Sequence, residues 1–579
     1  MLEQNTPHTF YYLPFWIKLL AILVFSSTTL FSGEWANSTL QQMTLREKAA
    51  QLFMIPVWTH GKQKNVDKVI TFLETSPVGG IIFMQGTIPD QQKAAKILQQ
   101  KSTLPLLVGQ DDEWGLNMRL KDSLRFPRNL MLGALQDTNL IYEMGLEVAN
   151  QCQGVGVHIN FAPVIDINNN PLNPVINDRS FGESPEKVTQ CGLLYMKGLQ
   201  DGGIMACAKH FPGHGDTHTD SHLALPVIDR TQAELNQVEW MPFKALIEGK
   251  VGAIMLAHLY FPLIADEHPS SLSPNLIQGS LKGDLGFKGL VFTDSLHMKS
   301  ITNQYETGTA DLLALIAGND VILISQNVPK ALNRIEKGIE LGEITESEID
   351  EKVLKILEAK EQFHLHHDRF LDTSLDLFSN KALRLKKRLF REALTLIQNK
   401  NVLPLKSKTP IAFVQVGRDV SMKDALELVE MSYEEQSSNR RPPFFTSLSQ
   451  HYSVDYFFLP KKSEAKDLSK LLKQLELYQK VVVAIYEMNK YERLNFGLCD
   501  STFTFLESLR EPSRHIYLTL FGSPYSLRNF DKEDFILMGY ENDEEAQIGA
   551  SEILMGKRSA QGCLPITASE KYPLGHGLH

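Results

Sequence analysis

The chain has 579 residues, 43% hydrophobic, 22% charged and 9% aromatic, an ordinary globular composition that excludes disordered, collagen-like and wholly membrane-embedded classes. With 68 acidic against 58 basic residues the net charge is −10 and no basic stripe dominates, so nucleic acid is not an expected partner. The five cysteines, Cys152, Cys191, Cys207, Cys499 and Cys563, share no metal-ligand or redox spacing and read as free thiols.

In chain order, residues 10–31 come first as a largely apolar and aromatic run, most compact at Leu19–Phe25 directly after Lys18. It has the look of a secretory signal core. The run dilutes at Ser26–Thr29, short of the roughly 20 residues that a helical span needs, and no small-x-small cleavage site follows. Residues 1–39 are therefore read as an export signal or membrane anchor, which puts the protein in the periplasm or cell envelope. The alternative is a cytoplasmic chain starting at Met43.

Eight short apolar runs then recur, each separated by enough chain for a helix: Leu52–Pro56, Gly80–Gln85, Leu106–Asp111, His158–Ile165, Ile204–His210, Ala253–Leu259, Gly289–Asp294 and Asp320–Ile324. Asp90–Gln100, Pro185–Leu199, Thr231–Glu248 and Glu306–Ala317 carry helical spacing between them. Buried strand alternating with amphipathic helix argues for a parallel sheet, and eight repeats for an α/β barrel of the (β/α)8 kind. Periodicity alone also fits an open doubly wound sheet. The barrel is favoured because Asp111, His210, His258 and Asp294 fall at or near carboxyl ends of the strands, where barrels place their chemistry. The expected organisation is a barrel over residues 40–347, a helical, charged linker over 348–399 and a second α/β domain over 400–579. Strands in that domain are expected at Ile411–Val416, Val481–Tyr486, Ile516–Phe521 and Phe535–Gly539.

The densest polar cluster runs from Lys209 through His210, His214, Asp216 and His218 to Asp220-Ser221-His222. Histidines every four residues would share a helix face and could bind a metal, but Pro212, Gly213 and Gly215 force a loop. Asp294 closes an apolar strand and suits a nucleophile or base, or else an N-cap for a helix over Ser295–Thr302. Gln110-Asp111-Asp112-Glu113-Trp114-Gly115, with Arg119, could grip a sugar through carboxylates and an indole face, or form a solvated acidic loop. Asp178-Arg179-Ser180-Phe181-Gly182 is either a further binding element or a structural loop pair.

Asn160-Phe161-Ala162-Pro163-Val164-Ile165-Asp166, Asp178–Gly182, Lys209–Thr217 and Phe287–Asp294 together resemble glycoside hydrolase family 3. The loop ending in Asp220-Ser221-His222 resembles that family's bacterial β-N-acetylglucosaminidase branch. The likeness continues through Leu394–Asn399, Leu403-Pro404-Leu405, Gly556-Lys557, Leu564-Pro565-Ile566 and Pro573–Leu578, which resemble the second, α/β sandwich domain that many members carry. The resemblance implies Asp294 as catalytic nucleophile, Asp220 and His222 as an acid/base dyad, and Asp111, Arg119, Arg179, Lys209 and His210 as residues binding the terminal sugar. It implies no metal and no organic cofactor. Two positions depart from the pattern: Asp112-Glu113-Trp114-Gly115 stands where Gln-Glu-Gly-Gly is common, and His297-Met298 is not the commonest pair after the nucleophile.

Those residue types suit a retaining glycosidase, which needs a carboxylate to form a glycosyl-enzyme intermediate and a group that first gives and then takes a proton. A histidine held by an aspartate can fill the second role near neutral pH. The expected activity is removal of terminal β-linked N-acetylglucosamine, with cell-wall fragments as the source. Alternatives are a β-glucosidase or β-xylosidase, disfavoured by the Asp220-Ser221-His222 element; a phosphorylase, in which phosphate replaces water; and a non-catalytic sugar-binding protein.

Overall fold

The computed structural model describes residues 33–218, 221, 224–369, 375–418 and 441–579. The apolar run at residues 10–31, Asp220 and His222 lie outside the described residues. No described helix is long and apolar enough to cross a membrane.

The first sheet has eight parallel strands: β1 (Phe53–Val57), β2 (Gly80–Phe83), β3 (Leu107–Gln110), β4 (Ile159–Asn160), β5 (Met205–Phe211), β6 (Ala253–Leu256), β7 (Leu290–Thr293) and β8 (Ile322–Leu323). They pair in sequence order from β1 to β7, with β8 beside β1. The ring closes through one bridge between Phe292 and Val321, where the Thr293 amide donates to the Val321 carbonyl at 3.1 Å. Buried Asp320 braces that seam: it accepts from the Val291 amide at 2.9 Å and pairs with Lys355 at 3.3 Å. Apolar side chains fill the interior, and Phe161 meets Phe292 edge to face at 5.4 Å.

Each expected strand is present, but β4 covers only Ile159–Asn160 of the expected His158–Ile165. Pro163, which carries no amide hydrogen, stands in the remainder. The expected helix over Thr231–Glu248 is two helices, Gln232–Gln237 and Trp240–Glu248. After the barrel come helices Glu346–Gln362 and Asn380–Glu392.

The second sheet is formed by β9 (Thr395–Asn399), β10 (Ile411–Val416), β11 (Val454–Leu459), β12 (Lys480–Ile485), β13 (His515–Leu520) and β14 (Phe535–Met538), in the order β11-β10-β12-β13-β14-β9. Five strands are parallel, and β9 runs antiparallel at the edge beside β14. Residues 395–399, expected at the end of the linker, are thus a strand of this sheet. β11 was not expected either. This domain sits over the carboxyl ends of β3 and β4: the Arg128 amide donates to Glu541 at 2.6 Å, Asn168 Nδ2 to Tyr525 at 2.8 Å, and the Cys563 amide to the Ala134 carbonyl at 3.0 Å.

The loop after β5 passes so close to the loop after β4 that a Cβ on Gly215 would lie 1.6 Å from the Ile167 carbonyl oxygen. That oxygen belongs to backbone and cannot move alone. Gly215→Ala should cost about 3 kcal/mol in denaturant unfolding, the upper part of the usual overpacking range. Gly279→Ala, whose Cβ meets nothing within 4 Å on a helical segment, should leave stability unchanged or slightly raised. Equal stabilities for the two variants would contradict the close approach.

Candidate active site

A cleft of about 1050 Å³ opens at the carboxyl ends of the barrel strands. Asp111, Arg119, Arg179, Lys209, His210 and Asp294, six of the eight residues singled out in the sequence, all line it.

Asp111 follows β3, and Lys209 lies within β5. Lys209 is 2% exposed and can stay charged there only if paired. Its Nζ lies 2.7 Å from Asp111 Oδ1 and 3.0 Å from Glu113 Oε1. Arg119 pairs with the other oxygen of Asp111, and Arg179 grips Glu113 in fork geometry at 3.0 and 2.7 Å. Burial opposes the charge of both carboxyls, but Lys209 and Arg119 outweigh it at Asp111, and Arg179 and Lys209 at Glu113. Asp111 is held well below the ordinary carboxylate range and Glu113 down to about 2. Three cations face two ionised carboxylates, an excess that favours negative charge nearby.

Asp166, buried within the loop after β4, aims His210. Its carboxylate accepts from His210 Nδ1 at 2.7 Å, from the His210 amide, and from the His214 amide at 2.7 Å. Arg179 Nη2 lies 3.4 Å from His210 Nε2, and because a guanidinium only donates, the tautomer with hydrogen on Nδ1 satisfies both contacts. His214 contacts Thr217 Oγ1 at 3.1 Å and Ser221 Oγ at 3.0 Å, and burial drops its pKa to about 4, so it is neutral at pH 7. Ser221 lines the cleft, and its two sequence neighbours are Asp220 and His222.

Asp294 follows β7, its Oδ1 accepting from the Ser295 amide at 2.7 Å. It is not an N-cap: the next helix is Lys299–Thr302, with Met298 in that position. Burial opposes ionisation of Asp294, but His258, His210, the Ser295 amide and Lys209 together prevail and hold its pKa below the ordinary value. His258 is itself fixed by Ser271 Oγ at 2.7 Å and by donating Nε2–H to the Ser295 carbonyl at 3.0 Å. The result is an anionic, half-buried carboxylate at the mouth of the barrel with its charge kept on, as a nucleophile requires.

Sequence reasoning named Glu113 only as one of three acids that could grip a sugar, and gave no role to Asp166 or Lys490. The first two stood inside quoted motifs, and their burial beside cations is visible only in the fold. Lys490 reaches the cleft wall from the second domain, and nothing in its sequence neighbourhood signals that. Trp114 does not line the cleft. The guanidinium of Arg128 lies 4.6 Å from its ring centre, so the indole serves the wall between the domains rather than a sugar face.

Asp112 behaves differently from the carboxylates on either side. It is fully buried, Cys152 donates to one oxygen at 3.5 Å, and Oδ1 has no partner among the described residues. Burial above all, with Asp111 adding to it against the pull of Arg119, raises its pKa to about 7. The folded state then holds a proton that the unfolded state releases near pH 4, so stability falls as pH rises from 4 to 7. Asp112→Asn should match the wild type near pH 4 and gain on it by up to a few kcal/mol by pH 7 in denaturant unfolding. A gap that does not change with pH would refute a neutral Asp112.

Residues 44–359 match the model of the glycosyl hydrolase family 3 N terminal domain. The chain is similar to β-hexosaminidase A of Pseudoalteromonas piscicida, 28% identical over 372 residues, 60% of this chain and 62% of that one. It is also similar to β-hexosaminidase LpqI of Mycobacterium tuberculosis, 32% identical over 330 residues, 54% of this chain and 82% of that one. The match thus spans about three fifths of the Pseudoalteromonas protein's length. Among solved structures, a glycoside hydrolase family 3 β-N-acetylglucosaminidase from a Paenibacillus strain superposes with a TM-score of 0.74 at 29% identity, covering 90% of this chain and 98% of that one.

Proposed function

Since this chain belongs to glycosyl hydrolase family 3, we propose that it is a retaining exo-glycosidase that removes terminal β-linked N-acetylglucosamine through a covalent glycosyl-enzyme intermediate. The observation that carries the reading is Asp294, a half-buried carboxylate kept ionised in the same cleft as the Asp111–Lys209–Glu113 cluster. The names of the similar proteins above support the choice of sugar.

In this reading Asp111, Arg119, Arg179, Lys209 and His210 hold the terminal sugar, with Asp111 accepting from its hydroxyls and Lys209 and His210 completing the floor. Asp294 attacks the anomeric carbon as the bond to the leaving oxygen breaks. His222 gives that oxygen its proton and, as imidazole, takes one from water when the ester to Asp294 is hydrolysed. Asp220 orients the ring and stabilises the imidazolium, as the aspartate of a hydrolase triad does. Lys209 and Arg179 do not relay protons; their fixed charges keep the sugar-binding carboxylates ionised. Cell-wall fragments are the proposed source of the substrate, and the apolar segment within residues 1–39 is proposed to carry the protein to the cell envelope.

A panel of aryl glycosides run with and without phosphate, on wild type and His222→Ala, tests the reading. The wild type should cleave β-N-acetylglucosaminides well and β-glucosides poorly, with no demand for phosphate. His222→Ala should lose about 10²–10⁴ on leaving groups as basic as a sugar, the usual range for general acid catalysis, and far less in the first step on an activated aryl group. Azide should restore part of its turnover. A β-glucoside kcat/KM equal to the N-acetyl value defeats the substrate assignment, and uniform slowing of all leaving groups without azide rescue defeats the role of His222.

A further inference from the structure

A second cavity, about 570 Å³, lies between the domains and adjoins the cleft. Lys490 stands in the walls of both, and Asp178 in the cavity wall is followed directly by Arg179 in the cleft. Three independent features mark this cavity. Its second-domain wall is built from Glu487–Tyr491, Phe521–Pro524 and Tyr540–Asn542, the segments that leave the carboxyl ends of β12, β13 and β14. Open parallel sheets bind ligands in that position. Asn177, Glu487 and Tyr540, all in the wall, have left-handed backbones with φ of 37°, 54° and 58°, a conformation non-glycine residues resist. Buried Arg128 Nε, Asn177 Oδ1 and Ser523 Oγ, which belong to wall residues, have no hydrogen-bond partner among the described residues.

Every charged group of the wall already has a partner. Arg125 pairs with Glu541, Arg128 with Asp178, Lys490 with Asp178 at 3.4 Å, and Glu487 with Arg418 at 2.8 Å. Asp178 serves two cations, so one positive charge is in excess, but no charged group there stands unpaired among the described residues. What the wall offers is unspent polar groups beside the apolar surfaces of Met131, Met488 and Phe521. A neutral ligand with hydroxyl and amide groups and an apolar ring face fits that mixture, and an N-acetylated sugar has all three.

We propose that the interdomain cavity is a leaving-group subsite, holding N-acetylated sugar units beyond the one next to the scissile bond. The proposal rests on the reading of the cleft as the site that cuts off terminal N-acetylglucosamine. It gives the second domain a part in selecting long substrates and none in the bond cleavage itself.

The test compares β-1,4-linked N-acetylglucosamine dimer, trimer and tetramer with 4-nitrophenyl N-acetyl-β-glucosaminide, on wild type, Ser523→Trp and Ser523→Ala. In the wild type kcat/KM should rise about tenfold from dimer to tetramer, the worth of one or two ordinary hydrogen bonds. Ser523→Trp fills the cavity and should abolish the rise, while the aryl glycoside is cleaved within twofold of the wild-type rate. Ser523→Ala, too small a change to unfold the chain, should lower the tetramer rate about threefold and leave the aryl rate unchanged. A flat response to chain length, a rise that Ser523→Trp keeps, or equal tetramer rates in wild type and Ser523→Ala overturns the proposal. If Ser523→Trp does not fold, the Ser523→Ala comparison decides alone. A wild type that fails to cleave the aryl glycoside contradicts the reading of the cleft instead.

Discussion

An ammonium group with almost no access to water is tolerated only where carboxylates surround it, and Lys209 meets that condition by sharing Asp111 and Glu113. The constraint propagates. Asp111 comes from the end of β3, Lys209 from β5, Arg179 from the turn after β4 and Arg119 from the loop beyond β3, so one charge cluster ties neighbouring strand ends into a fixed geometry. Removing one member of such a cluster costs on the order of 3–5 kcal/mol, because the partner is left buried and uncompensated. The cluster is therefore a structural clamp on the mouth of the barrel, and in the proposed reading it is also the surface that holds the terminal sugar.

Its charge balance also bears on the residues around it. One cation in excess, beside histidines fixed by Asp166, Ser271 and a backbone carbonyl, provides the field in which Asp294 stays ionised despite burial. Asp112 lies one residue from the clamp, with neither an ion pair nor a second hydrogen-bond donor on its side chain among the described residues, and there burial wins and raises its pKa to about 7. Three consecutive acids thus divide into two anions and one group that holds its proton up to about pH 7, according to which of them pairs with a cation.

Much of this was legible in the sequence, for physical reasons. Parallel strands buried on both faces leave continuous apolar runs, and the polar residue that ends each run marks the catalytic end of the barrel, which is how Asp111 and Asp294 stood out. β9 and β11 were not visible. β9 follows a charged helix without a break, and β11 lies at the edge of the sheet, where four of its six residues are only half-buried and one is exposed. β4 showed the opposite error: the apolar run through Phe161 and Val164 continues, but the Ala162 amide turns back to the Asn160 carbonyl at 2.8 Å, and beyond it the run pairs with β5 only through an isolated bridge, Val164 to Lys209. The roles of Asp166 and Lys490 depend on contacts across 44 and 312 residues, to His210 and Asp178, which no local pattern records.

The central claim is that Asp294 becomes covalently joined to the sugar, and trapping that intermediate tests it most directly. A slow-turnover fluorinated N-acetylglucosaminyl donor, added to the full chain and followed by proteolysis and mass spectrometry, should place one sugar adduct on the peptide containing Asp294, with the modified carboxyl being that residue. An adduct on another residue, or inactivation without any adduct on that peptide, would contradict the account.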